Sequence, residues 1–190
     1  MTAAHTSPAV SATSLHTLRQ RLSGAAVVSG EQQYRSARRG AGSTPIGDRA
    51  PAVVVLPETA DDVARAIDFA RANDLDVSVR SGGHDVFAAS TTPSGVLIDL
   101  ARLSAITVDP ATGVARAGAG VRSGALGAAA ATHRRAPVLG MNPTVGLGGL
   151  TLGGGLGWLC GAHGAAVDHL VAVELVTADG RLLTADSEQH

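Results

Sequence analysis

The stretch from Gly140 to Gly157 carries Gly140, Gly146, Gly148, Gly149, Gly153, Gly154, Gly155 and Gly157, with Val145, Leu147, Leu150, Leu152 and Leu156 set between them. Glycine at this density has two outlets. One is a solvated linker; the other is a backbone pressed against something that a Cβ would exclude. Ser is absent from the stretch and apolar side chains interrupt the glycines, which favours a buried loop, glycine admitting a ligand on one side and leucine sealing the other. The dinucleotide fingerprint G-x-G-x-x-G does not fit. Gly146-x-Gly148 meets Thr151, Gly153-x-Gly155 meets Trp158, and Gly118-x-Gly120 meets Ser123 where the third glycine belongs.

Upstream, Val53-Val54-Val55-Leu56 is an unbroken apolar run, as a strand buried on both faces should be. Pro57 ends it, Thr59 is a helix N-cap, and Asp61 and Asp62 suit the first turn of a helix over 60–72. Val63, Ala66, Ile67 and Ala70 form its buried stripe, and Val77-Ser78-Val79 follows as the next strand of a βαβ unit. Arg80-Ser81-Gly82-Gly83-His84-Asp85 then lies just past the carboxyl end of a parallel strand, where open α/β sheets bind ligands. Its adjacent glycines let backbone N–H groups approach an anion.

Beyond this loop the pattern changes to short antiparallel strands at 96–100, 106–108 and 113–118. An Ala-rich helix follows from about Arg122 to His133, then a strand at 171–176 turning back at Leu182-Leu183-Thr184. Before it, residues 1–49 read as a leader, a short helix over 15–28 with Leu15, Leu18 and Leu22 on one face, and a polar loop carrying Arg35, Arg38 and Arg39.

Composition removes several function classes. All 15 basic residues are Arg, so a phosphate loop ending in Gly-Lys-Ser/Thr and lysine Schiff-base chemistry are both excluded. A net charge of -1 and 2% aromatic residues argue against nucleic acid as a partner. Cys160 stands alone, and Cys160-x-x-His163 is half a metal site with no further ligands, so no metal is expected. There is no basic and apolar leader and no apolar run near the ~18 residues of a membrane span. The expectation is a soluble, cytoplasmic protein without a membrane partner.

Val79-Arg80-Ser81-Gly82-Gly83-His84, then Pro143-Thr144-Val145-Gly146, then Gly153-Gly154-Gly155-Leu156-Gly157 together resemble the FAD-binding domain of the vanillyl-alcohol oxidase and p-cresol methylhydroxylase (PCMH-type) flavoproteins. The nearest branch is the berberine-bridge-enzyme-like oxidoreductases. The resemblance covers residues 50–190 and implies an α+β fold, a small parallel βαβ subdomain followed by a mainly antiparallel β subdomain with flanking helices. It also implies FAD. Backbone N–H groups of Arg80, Ser81, Gly82, Gly83, His84 and Asp85 would wrap the pyrophosphate. Pro143, Thr144, Val145, Gly146, Gly149, Gly153, Gly154 and Gly157 would line the flavin and ribityl chain, and Val173 would pass the adenine end.

In the family, the histidine at the place of His84 is often bonded to the flavin 8α carbon. Doubly linked members carry a cysteine at the place of Asn142, so the resemblance implies a single link here. The implied activity is hydride transfer from a small organic substrate to FAD. Family members are much longer and complete their substrate site with a further domain. This chain is therefore expected to be C-terminally incomplete and inactive by itself. A non-catalytic FAD-binding remnant and an interaction module without flavin remain as alternatives.

Overall fold

Four short apolar runs build one mixed sheet. The computed structural model describes residues 10–40 and 49–190, so the start of the expected leader and residues 41–48 of the polar loop lie outside the described residues. In it β1 (Ala25–Val28), β2 (Val53–Leu56), β3 (Val77–Arg80) and β4 (Val96–Asp99) stand in the order β1-β2-β4-β3. The two central strands pair in parallel from Val53↔Val96 to Val55↔Ile98, and all six of these side chains are fully buried. Burial on both faces is why both sequences lack alternation. β3 pairs parallel with the far side of β4, and β1 closes the other edge antiparallel to β2.

Two expectations are corrected here. Residues 96–99 do not join the antiparallel region: β4 inserts between the two strands of the βαβ unit. The reason is composition, since Val-Leu-Ile-Asp can be enclosed on both faces. β3 carries Ser78 and leaves Val77 and Val79 half-exposed at the sheet edge. The helix expected over 15–28 is α1 (Ala12–Arg21), capped by the Ser11 side chain on the Ser14 N–H, and 25–28 is strand. Ala-Ala-Val-Val suits either state locally, and pairing with β2 decides it. Gly24 makes the turn between them, where a Cβ would lie 2.1 Å from the Leu56 carbonyl oxygen.

α3 (Ala60–Ala72) is the crossover helix, and Thr59 caps it by accepting the Asp62 N–H. It buries Ala66, Phe69 and Ala70 against Val53, Val55, Val96 and Ile98, with Val63 and Ile67 half-buried beside them. On the opposite face of the sheet, Tyr34 from α2 (Tyr34–Ala37) packs on Val27, Val54 and Leu97 and donates its hydroxyl to the Pro51 carbonyl at 2.6 Å.

The rest of the chain is two antiparallel hairpins and short helices. β5 (Ile106–Val108) pairs with β6 (Ala115–Ala117), and α4 (Ser123–Ala131) follows. α5 (Leu147–Leu152) and α6 (Cys160–His163) lie within and just after the glycine belt. β7 (Ala172–Val176) and β8 (Leu182–Asp186) form the last hairpin, packed on α3. Among the described residues no helix is long and apolar enough to cross a membrane.

Asp62 ties the first elements to the sheet. Its buried carboxylate accepts the N–H groups of Ser23 at 2.9 Å, Gly24 at 3.0 Å and Glu58 at 3.0 Å. Burial raises the carboxyl, but these backbone donors outweigh it and hold the group below its ordinary value. Asp62→Ala strands three donors at once and should cost about 3 kcal/mol in chemical denaturation. A lowered native value means the charged form stabilises the fold at neutral pH. That contribution fades as pH falls below about 4, so the gap between wild type and variant should narrow there.

Candidate functional site

β3 ends on Arg80, whose side chain turns into the protein and not toward the loop that follows. Only 2% of it is exposed, and it pairs with Asp99 at 2.6 Å on the neighbouring strand. Its guanidinium also donates to the carbonyls of Ala37 and Arg38. Arg80 is thus a strut, and what it presents to a ligand is backbone. Past it, Gly83 has a φ of +67°. The N–H groups of Gly82, Gly83 and His84 carry no hydrogen bond among the described residues. Consecutive unpaired backbone donors at a strand end are what an anion-binding nest requires. Asp85 closes the loop by accepting the N–H of Phe87 at 3.0 Å and Ser90 at 3.1 Å. The Phe87 donor first, then Ser90, Ala89 and the Arg49 charge, keep its carboxyl below the ordinary range.

The two sequence motifs meet at this loop, although 60 residues separate His84 from Thr144. Residues 143–147 run along the segment before α4: Ser123 N–H donates to Val145, Gly124 N–H to Pro143, and Leu147 N–H to Val121. That places Gly146 on Gly82, backbone to backbone. A Cβ on Gly82 would lie 2.1 Å from Gly146 N, and one on Gly146 2.2 Å from Gly82 N. Ser81 fixes the same junction by donating to the Ala119 carbonyl at 2.5 Å.

His84 is oriented by a short relay. Asn142 Oδ1 accepts the Thr144 N–H at 2.9 Å and the Thr144 hydroxyl at 2.8 Å. The backbone donor identifies that amide atom as oxygen, so the hydroxyl hydrogen is committed to it. The Thr144 oxygen, 2.8 Å from His84 Nε2, must then accept. His84 Nε2 is therefore assigned a hydrogen.

The belt is less uniform than expected. Part of it is α5, and a helix starting after Gly146 turns Leu147 and Leu150 inward while Leu152 points out, 87% exposed. Leu156 is 70% exposed, so neither it nor Leu152 seals the loop within this chain. Gly155 and Gly157 are packed by the protein itself, against Ala166 and the Leu139 carbonyl; Gly149 and Gly154 have nothing within 4 Å of a Cβ position, and Gly153 is in ordinary contact with its own helix. Val173 sits on β7 opposite Ala185, in the hairpin on α3. Cys160 Sγ accepts the Gly157 N–H at 3.0 Å, and among the described residues no group of three or more His, Cys, Asp or Glu could hold a metal. Glu174 pairs with Arg116, and Asp168 accepts the Ala165 N–H.

Sequence reasoning missed Arg122. Its Nη1 donates to Gly82 O at 2.6 Å and to Thr144 O at 2.8 Å, spanning both loops. A signal existed: an arginine at a helix N-cap opposes the helix dipole, so its side chain is expected to be employed elsewhere.

The sequence profile of the FAD binding domain family matches residues 51–186. The chain belongs to this family. It is 39% identical over 140 residues to (R)-6-hydroxynicotine oxidase of Paenarthrobacter nicotinovorans, covering 74% of this chain and 31% of that protein. Among solved structures, 6-hydroxy-D-nicotine oxidase from Arthrobacter nicotinovorans superposes with a TM-score of 0.83 at 34% identity, over 88% of this chain and 36% of that one. A berberine-bridge-enzyme-like protein of Physcomitrella patens gives 0.83 at 26% identity, over 92% and 38%. The α+β, PCMH-type architecture is that of these FAD-linked oxidoreductases, and the chain spans about a third of their length.

Gly146→Ala should break the loop junction, because the methyl group meets backbone that cannot move aside. A loss of about 1–3 kcal/mol is expected in chemical denaturation. A variant as stable as wild type would show that the two loops do not touch.

Proposed function

We propose that this chain forms the cofactor-holding part of an FAD-dependent oxidoreductase acting on a small organic substrate, with FAD joined through one covalent bond to His84. The observation that carries the reading is the nest of unpaired N–H groups at Gly82, Gly83 and His84, set against the Pro143–Gly146 segment. A pyrophosphate supplies the acceptors such donors need. Residues 50–190 act as the cofactor unit. Gly82 to His84 would hold the diphosphate by backbone N–H, Arg80 and Asp85 framing them. The belt from Pro143 to Gly157 would lie along the flavin, where open glycines such as Gly149 and Gly154 leave room, and Val173 would stand near the adenine end. When bound, FAD supplies the redox chemistry, accepting a hydride from a substrate C–H next to oxygen or nitrogen.

The protein's own part is to hold and orient. Thr144 and Asn142 would keep a proton of His84 on Nε2, leaving Nδ1 of the neutral ring as the nitrogen that would bond to the flavin 8α carbon in place of one of its hydrogens, the two electrons passing to the flavin ring and on to dioxygen. Asn142 carries no thiol, which supports one link and not two. The relatives that carry names of nicotine-oxidising enzymes support a small, nitrogen-containing substrate class.

Attachment is tested by reconstituting the 190-residue chain with FAD and precipitating it with acid. Flavin fluorescence should remain with the pellet and disappear in His84→Ala, whereas flavin kept by the variant assigns the bond elsewhere. FMN offered in place of FAD should bind at least tenfold more weakly, since it lacks the second phosphate and adenosine.

Gly149→Ala separates belt from scaffold. The residue lies in α5 with open space around it, so Ala should leave the free chain unchanged or up to about 1 kcal/mol more stable. The same methyl group should weaken FAD binding. Unchanged affinity would place the flavin away from α5.

A further inference from the structure

We propose that Arg122 is the positioning residue that sets the separation of the two cofactor loops, holding the site in its binding geometry before any ligand arrives. The consequence for affinity rests on the FAD reading above; the clamp itself does not. Gly82 and Gly146 touch through bare backbone, so at this contact neither residue offers a side chain to grip the other, and the direct side-chain bond between the loops lies further out, from His84 to Thr144. Their neighbouring carbonyls, Gly82 O and Thr144 O, both lie within hydrogen-bond reach of one nitrogen. Two carbonyl oxygens brought that close repel unless a donor stands between them. Arg122 Nη1 is that donor, and its charge strengthens both bonds.

Three further observations support the assignment. Arg122 has no carboxylate partner among the described residues, so the carbonyls do not compete with an ion pair for it. Its backbone forms an isolated β-bridge with Gly146, so the guanidinium starts from the segment it helps to hold. It is half-buried, and the planar guanidinium is rigid enough to fix both acceptors at once. Arg122 would touch no reacting atom; it acts through the loops.

The test uses the full 190-residue chain in three forms: wild type, Arg122→Met, which keeps length but has no donor, and Arg122→Lys, whose ammonium can still bridge two carbonyls. Amide order parameters without cofactor report the clamp. In Arg122→Met they should fall together at Gly82–His84 and Thr144–Gly146, from near 0.85 toward about 0.6, while β2 and β4 stay rigid. FAD affinity should drop about tenfold in the Met variant and stay within about threefold in the Lys variant. Loops that stay rigid in Arg122→Met, or only one loop loosening, would overturn the proposal, as would a Lys variant no better than Met. Should the Met variant lose its core, the Lys variant decides: intact loops with near-wild-type affinity support the clamp, and mobile loops on an intact core reject it. A wild-type chain that takes no FAD overturns the cofactor reading, while the order parameters still judge the clamp.

Discussion

The buried pair of Arg80 and Asp99 is the constraint from which the site is built. Asp99 closes β4 and Arg80 closes β3, and the two residues stand opposite one another in the parallel register. A charge with 2% exposure is tolerated only when it is paired and hydrogen-bonded, and here Nε and Nη2 serve Asp99 while the guanidinium also reaches the carbonyls of Ala37 and Arg38. Removing one partner of such a pair typically costs about 3–5 kcal/mol, because the other is left buried and unpaired. The same bonds draw the end of α2 against the sheet, and Gly40 comes to rest on Gly83. One side chain thus fixes where β3 stops, where the next loop begins, and what lies behind it.

From that anchor the glycines divide into two kinds of work. Gly82 and Gly146 permit two backbones to meet, and Gly155 and Gly157 let the belt fold back on Ala166 and Leu139. Gly149 and Gly154 have open space where a side chain would be. The first set is required by the protein's own packing. Gly149 is not, and its room is what a planar cofactor lying on the belt would use, whereas Gly154 takes a φ of +96° that itself favours glycine. Composition alone could not separate them, because both kinds appear in one run of the sequence.

Much of the frame was legible in the sequence because its signals are local. The apolar run at Val53, the Thr59 cap and the stripe along α3 each encode their own element, and the family resemblance rested on three motifs in order. What escaped depends on tertiary pairing. Nothing near Val96 says that β4 enters between β2 and β3, and nothing in Ala25–Val28 says strand rather than helix until β2 is beside it. At the site, the approach of the two glycine motifs follows from their resemblance, but the bridge by Arg122 and the relay through Asn142 do not. Asn142 was read only as a position without sulfur. Its carbonyl oxygen turns out to fix a proton on a histidine in another loop.

Exposed apolar side chains are unevenly distributed along the chain. Around the four-stranded sheet, α1, α2 and α3 leave the central strands fully buried. Many of the large exposed apolar side chains cluster in the segments that carry the motifs: Val86 and Phe87 just after His84, and Met141, Leu152, Leu156 and Trp158 along the belt. An isolated exposed leucine needs no explanation, but aromatic and aliphatic side chains concentrated in the segments that carry the motifs do. Water can reach the partly exposed Gly83 and His84, yet it gains nothing from Trp158 or Leu152. A ligand with a charged end and a flat apolar end answers both demands at once, the charge on the nest and the ring system along the belt. A simple phosphate would answer only the first, and an apolar peptide only the second. The pairing of the two surfaces is therefore more specific than either, and its polar half belongs to the loop that Arg80 and Arg122 hold in place.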